Sequence, residues 1–179
     1  MNEQFQALLD KQSIYELLVS YCRGVDRCDE DLIRSAFHDD SYDDHGYWKG
    51  PGRELAPFLA DRLRKANSAT THSIMNLLIE LQGDLAQSEA QVHATLIRRG
   101  SDPVEVDVVG ARYLDRLSRR GGTWRIERRT VVLDWHRTEV WPDSAPPVPT
   151  QGFVRGGRRP EDPSYGGARR AGVGNDRED

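Results

Sequence analysis

Thr70-Thr71-His72-Ser73-Ile74-Met75-Asn76-Leu77-Leu78-Ile79-Glu80-Leu81-Gln82 is followed by Gly83-Asp84 and then by Leu85 to Arg98. Here the chain changes its period. Up to Asn67 apolar residues recur at three- and four-residue intervals, the spacing of a helix face; beyond it they follow the two-residue alternation of strands. Gly83-Asp84 between two such runs reads as a hairpin turn. Arg99 to Pro103 then leads to a third strand, Val104 to Leu117, in which Val104, Val106 and Val108 alternate with Glu105 and Asp107. Arg119 to Gly122 is a further turn before a last strand, Thr123 to His136. There Trp124, Ile126 and Arg128 share one face, and Arg125, Glu127 and Arg129 the other.

Upstream of the strands the chain reads as helices. Phe5, Leu8 and Leu9 start an apolar stripe that Ile14, Leu17, Leu18 and Tyr21 continue. Ser13 to Glu16 fits a capping box, so residues 5–22 read as one helix or two short ones. Gly24 reads as the stop, and Asp29 as the N-cap of a second helix over about Glu30 to Phe37. Ser41 to Trp48 is a short strand or loop, Lys49 to Gly52 a turn, and Arg53 to Lys65 a third helix with Leu55, Phe58, Leu59 and Leu63 on one side. Helices first and hairpin-linked strands after give an α+β fold, with helices on one face of a curved antiparallel sheet. A sheet bent over helices leaves a hollow suited to a small molecule.

The totals narrow the function classes. At 179 residues the chain holds one domain with a full core. Its net charge of −4, with both signs interspersed, argues against a nucleic-acid binder. No run of about 18 apolar residues marks a membrane span. Met1 to Gln4 show no secretory leader, and Cys22 and Cys28 lack metal-site spacing, so a reduced, cytoplasmic protein is expected. From Ser144 onward prolines, glycines and arginines replace bulky apolar residues. The expected organisation is a domain over residues 1–143 and a disordered tail over 144–179.

The candidate chemistry centres on Tyr21, Asp26 and His72. Histidine is the side chain whose ordinary pKa, about 6.5, suits a base near neutrality. A carboxylate on its other ring nitrogen would fix the tautomer. The alternative is that Asp26 caps a turn and His72 is a satisfied core histidine. Tyr21 and Asp26 lie five residues apart, so one continuous helix would not put them on one face. Arg128 faces inward if Trp124 and Ile126 do, and Arg129 replaces it if a bulge shifts the register. His38, Asp39, Asp40, Asp43, Asp44 and His45 lack a recognised metal spacing, and no metal is expected. His45, Tyr47 and Trp48 fit either a cup mouth or an ordinary strand edge.

Together these pieces resemble the SnoaL-like branch of the nuclear-transport-factor-like superfamily, a cone-shaped α+β barrel. The resemblance rests on Tyr21-x-x-x-x-Asp26-x-x-Asp29, on Phe37-His38-Asp39-Asp40 leading to Asp44-His45-Gly46, on Thr71-His72 with Asn76, and on Gly122-x-Trp124-Arg125-Ile126. It covers roughly residues 5 to 142. Relatives include scytalone dehydratase, bile-acid 7α-dehydratase and hexachlorocyclohexane dehydrochlorinase. The resemblance implies a cofactor-independent lyase or isomerase in which His72, oriented by Asp26, removes a proton. Tyr21 or Arg128 would then assist the leaving group. His45, Tyr47, Trp48, Phe58, Asn76 and Arg129 are the further candidates for binding a small hydrophobic cyclic substrate such as a steroid, terpenoid or aromatic polyketide. A homodimer or homotrimer is implied. The rival readings are a non-catalytic ligand-binding or small-subunit protein, and a polyketide cyclase or hydroxylase.

Overall fold

A computed structural model describes residues 3–142 and 150–166. Helix α1, Glu3–Arg27, is followed by α2, Glu30–Ser35, and by strands β1, Phe37–Asp44, and β2, Lys49–Pro51. A short 3-10 turn leads into α3, Leu55–Ala66, and then come β3, Asn67–Gln82, β4, Leu85–Arg98, β5, Val104–Arg120, and β6, Thr123–Trp141. All six strands form one sheet in the order β2-β1-β6-β5-β4-β3. Its pairs are antiparallel except β1 with β6, which run parallel. The α+β class stands: helices lie on the inner face of a curled, unclosed sheet.

The core follows from the helical stripe. Ile14, Leu18, Tyr21 and Val25 of α1 are buried against Phe37, Leu117, Trp124 and Ile126, with Leu55, Leu59 and Leu63 of α3 completing the layer. Asp10 of α1 accepts from Trp124 Nε1 at 3.0 Å and from Arg119 at 2.8 Å, which fixes the helix over the β5–β6 turn. Both glycines of that turn, Gly121 and Gly122, have positive φ, as the two-residue hairpin of that hand requires.

Several boundaries differ from the sequence reading. Helix α1 is continuous through Ser13, whose hydroxyl donates back to the Leu9 carbonyl. Phe5, Leu8 and Leu9 start no buried stripe; all three are exposed. The helix also runs past Gly24. That glycine serves close packing instead: a Cβ there would lie 2.9 Å from Leu32 Cβ and 3.0 Å from Ile33 N of α2. The turn expected at Lys49 to Gly52 falls earlier, where His45 N donates to Trp48 O at 2.8 Å, and Lys49–Pro51 pairs with β1. Asp29 is the N-cap as expected, accepting from Asp31 N and Leu32 N.

The tail also departs from expectation. Residues 150–166, which composition reads as disordered, dock on the corner between α1 and α2 through Arg158, Arg159, Asp162 and Tyr165. The rest of the tail, 144–149 and 167–179, lies outside the described residues.

Candidate active site

Strand β3 is an edge of the sheet, so every second N–H along it lacks a neighbouring strand. Helix α1 runs beside that edge and brings Asp26 to it. Asp26 Oδ2 accepts from the backbone N–H of His72 at 2.9 Å, while Oδ1 lies 2.7 Å from His72 Nδ1. One carboxylate thus grips both the backbone and the ring of the same residue. Facing a carboxylate oxygen, Nδ1 is the donor of this contact, so in the neutral ring Nε2 keeps its lone pair. The two side chains are 12% and 13% exposed, shielded but open to a ligand.

A cleft of about 350 Å³ opens against this pair, bounded by Tyr15, Val19, Cys22, Arg23, Asp26 and Arg27 of α1 and by His72, Ser73 and Ile74 of β3. Its floor includes the Cys22 thiol. Burial pushes that thiol up to about 12, Arg129 opposing and Asp26 and Asp115 adding to the rise, so it stays protonated and unreactive.

Arg128 does not reach the inner face. Ile126 pairs with Leu117, and Arg128 with Arg116, so Glu127 is an extra residue in β6. Beyond this bulge the alternation is inverted. Arg128 is exposed and lies over the Tyr42 ring at 5.0 Å, whereas Arg129 is fully buried. Arg129 makes two bonds of 2.7 Å to Asp115 and lies against the rings of Tyr21, 4.3 Å, and Tyr113, 4.1 Å, which stand edge-on to each other. Burial disfavours its charge, but Asp115 and the two tyrosines outweigh that and hold its pKa above the ordinary value. Register sets Asp43, Arg129, Asp115 and Ser88 side by side across four strands of the inner face. The inner end of the fold is therefore polar and buried, not an apolar hollow.

The remaining candidates scatter. Tyr21 is fully buried within the core, edge-on to Phe37 and Tyr113, with no hydrogen-bond partner for its hydroxyl, and it does not line the cleft. His45 Nδ1 lies 2.7 Å from Asp43 Oδ1, a second histidine–aspartate contact. Tyr47 and Trp48 both stack on Phe58, an aromatic group away from the cleft. Asn76 is exposed, with a left-handed backbone at a β3 bulge, and bonds Gln91. Sequence reasoning missed Cys22, Arg23, Asp115 and Tyr113. The i, i+4, i+7, i+8, i+11 spacing of Tyr15, Val19, Cys22, Arg23 and Asp26 is the signal that groups the cleft residues on one helix face.

The sequence pattern described as the SnoaL-like domain matches residues 6–130. The chain belongs to the SnoaL-like domain family. A solved hexachlorocyclohexane dehydrochlorinase, LinA type 2, superposes with a TM-score of 0.71 at 22% identity, covering 81% of this chain and 99% of its own. A putative scytalone dehydratase from Novosphingobium aromaticivorans gives 0.67 at 16%, covering 85% and 99%. Rv3472 of Mycobacterium tuberculosis, a protein of unknown function, gives 0.65 at 24%, covering 75% and 77%. At these identities the likeness is one of fold. No functionally curated protein matches the chain.

Proposed function

We propose that this SnoaL-like protein is a cofactor-independent lyase or isomerase of a small hydrophobic cyclic substrate, with Asp26–His72 as its base. The observation that carries the reading is the double grip of Asp26 on His72 beside an open cleft. His72 Nε2 takes a proton from a carbon next to the bond that breaks. The C–H electrons form the new double bond, and the leaving group departs with its own pair. Asp26 steadies the imidazolium that results. Neither Arg128 nor Tyr21 lines the cleft. Two cations line the cleft, Arg23 and Arg27; Arg27 is paired with Asp162, and Arg23 would meet a departing oxygen or halide.

A non-catalytic binding protein is favoured by one observation, the buried, polar inner end around Arg129. One experiment separates the two. Wild type and Asp26→Asn are incubated in D2O with cyclic alcohols, ketones and halides, and NMR reads elimination and deuterium uptake at carbon. The catalytic reading expects wild-type turnover that falls by about 10²- to 10⁴-fold in Asp26→Asn, the range of general-base catalysis. No turnover on any compound supports the binding reading, and equal turnover in both proteins removes Asp26–His72 as the base.

A further inference from the structure

A helix ends with carbonyls that lack partners within it, and when buried they must be met from outside. At the end of α1 the Gly24 and Val25 carbonyls are met locally, by Asp29 N at 2.8 Å and Cys28 N at 3.1 Å. The next two belong to Asp26 and Arg27, and both are met by the C-terminal segment. Arg158 Nη1 donates to Asp26 O, and Arg159 N donates to Arg27 O at 2.7 Å. The same Arg158 nitrogen donates to Thr70 Oγ1 at 2.7 Å, two residues before His72 on β3. One guanidinium therefore ties the helix end, at Asp26 itself, to the strand that carries the histidine.

The segment is built to hold that place. Asp162 accepts from Gly157 N at 2.8 Å and Ser164 N at 3.0 Å, which closes residues 157–164 into a turn, and it pairs with Arg27 at 3.1 Å. Arg159 and Tyr165 both bond Asp29, the cap of α2, at 2.6 and 2.8 Å. Ser164 accepts from Arg23 at 3.0 Å, and the Tyr165 ring lies 4.9 Å below that guanidinium. Two cations that border the cleft, Arg23 and Arg27, are thus held from the segment as well. The segment's own residues, Gly157 to Tyr165, lie beyond the part of the chain that carries the family pattern, 6–130.

We propose that residues 150–166 form a strap that caps α1 and sets the Asp26–His72 geometry, with Arg158 as its positioning residue. The proposal rests on Asp26–His72 being the working pair, but its test reads geometry. In full-length protein labelled with ¹⁵N-histidine, the His72 Nδ1–H resonance in water reports the contact to Asp26. Arg158→Gln is expected to broaden this resonance and to speed its exchange by about tenfold, the size of one net hydrogen bond. Exchange of the Cys28 and Asp29 amides should quicken with it. Asp162→Asn, which loosens the turn without touching Arg158, should act in the same direction, and Arg158→Lys should retain the signal. A strap that only adds stability would lower the melting temperature of Arg158→Gln and leave the His72 resonance of the folded protein unchanged, and that result overturns the proposal. It does so whatever turnover does; conversely, turnover that survives Asp26→Asn overturns the catalytic reading whatever the resonance does.

Discussion

Arg129 holds a full charge at zero exposure, and its stability depends on one partner. Asp115 takes two of its nitrogens, and two tyrosine rings flank the guanidinium. Replacing Arg129 by Met would leave the Asp115 carboxylate buried and alone. The expected loss is about 3–5 kcal/mol in a urea titration, the cost of breaking a buried pair from one side. A loss under about 1 kcal/mol would show that Asp115 reaches water or another donor. The residue types here were legible: the last strand announces an arginine that faces inward. Which arginine was not, because a bulge such as that at Glu127 adds one residue without any mark in composition or period. The pairing of Asp26 with His72 was legible through family resemblance alone. The helix-face spacing permitted it, but only the free N–H groups of an edge strand explain why the carboxylate settles there.

Among elements, the corner between α1 and α2 is the most demanding. A glycine that ends a helix and one that lets two helices touch look the same in sequence, and Gly24 is the second kind. Gly24→Ala drives a methyl against Leu32 and the Ile33 backbone. Despite the helix-favouring residue, thermal unfolding should show a destabilisation of about 1–3 kcal/mol; a gain in stability would mean α2 shifts freely. The strap was illegible for a related reason. Composition measures how much apolar surface a segment can bury, and this one is held by ion pairs and hydrogen bonds. Its pH dependence follows from Asp162. Burial raises this carboxyl, but the Ser164 hydroxyl, the Gly157 and Ser164 N–H groups and Arg27 outweigh burial and bring it from 3.8 down to about 2. A depressed acid contributes its stability above its ordinary pKa and loses it as pH falls through the folded value. Amide exchange at Gly157 and Ser164, corrected for intrinsic rates, should therefore stay slow down to about pH 4 and rise toward about pH 2. Release already at about pH 5 would show that Asp162 is not the anchor.

For the molecule as a whole, the order of helices and hairpins was readable from period alone, including four long strands and the α+β class. The parallel return of β1 beside β6 was not, since residues 37–51 are short, polar and without a clear period. The sheet leaves Leu133, Trp135, Val140 and Trp141 of β6 exposed. A homodimer or homotrimer that covers them is the expected state, and sedimentation equilibrium at micromolar concentration should show it; a strictly monomeric mass that persists at high concentration would contradict it. The function asks more of one imidazole than of the architecture. Its most direct measurement is turnover by His72→Gln, which keeps a hydrogen-bonding side chain of similar length but no base, on the substrate found with wild type. A fall of about 10²-fold or more with an unchanged melting temperature is the predicted result. Turnover within about threefold of wild type would contradict the account.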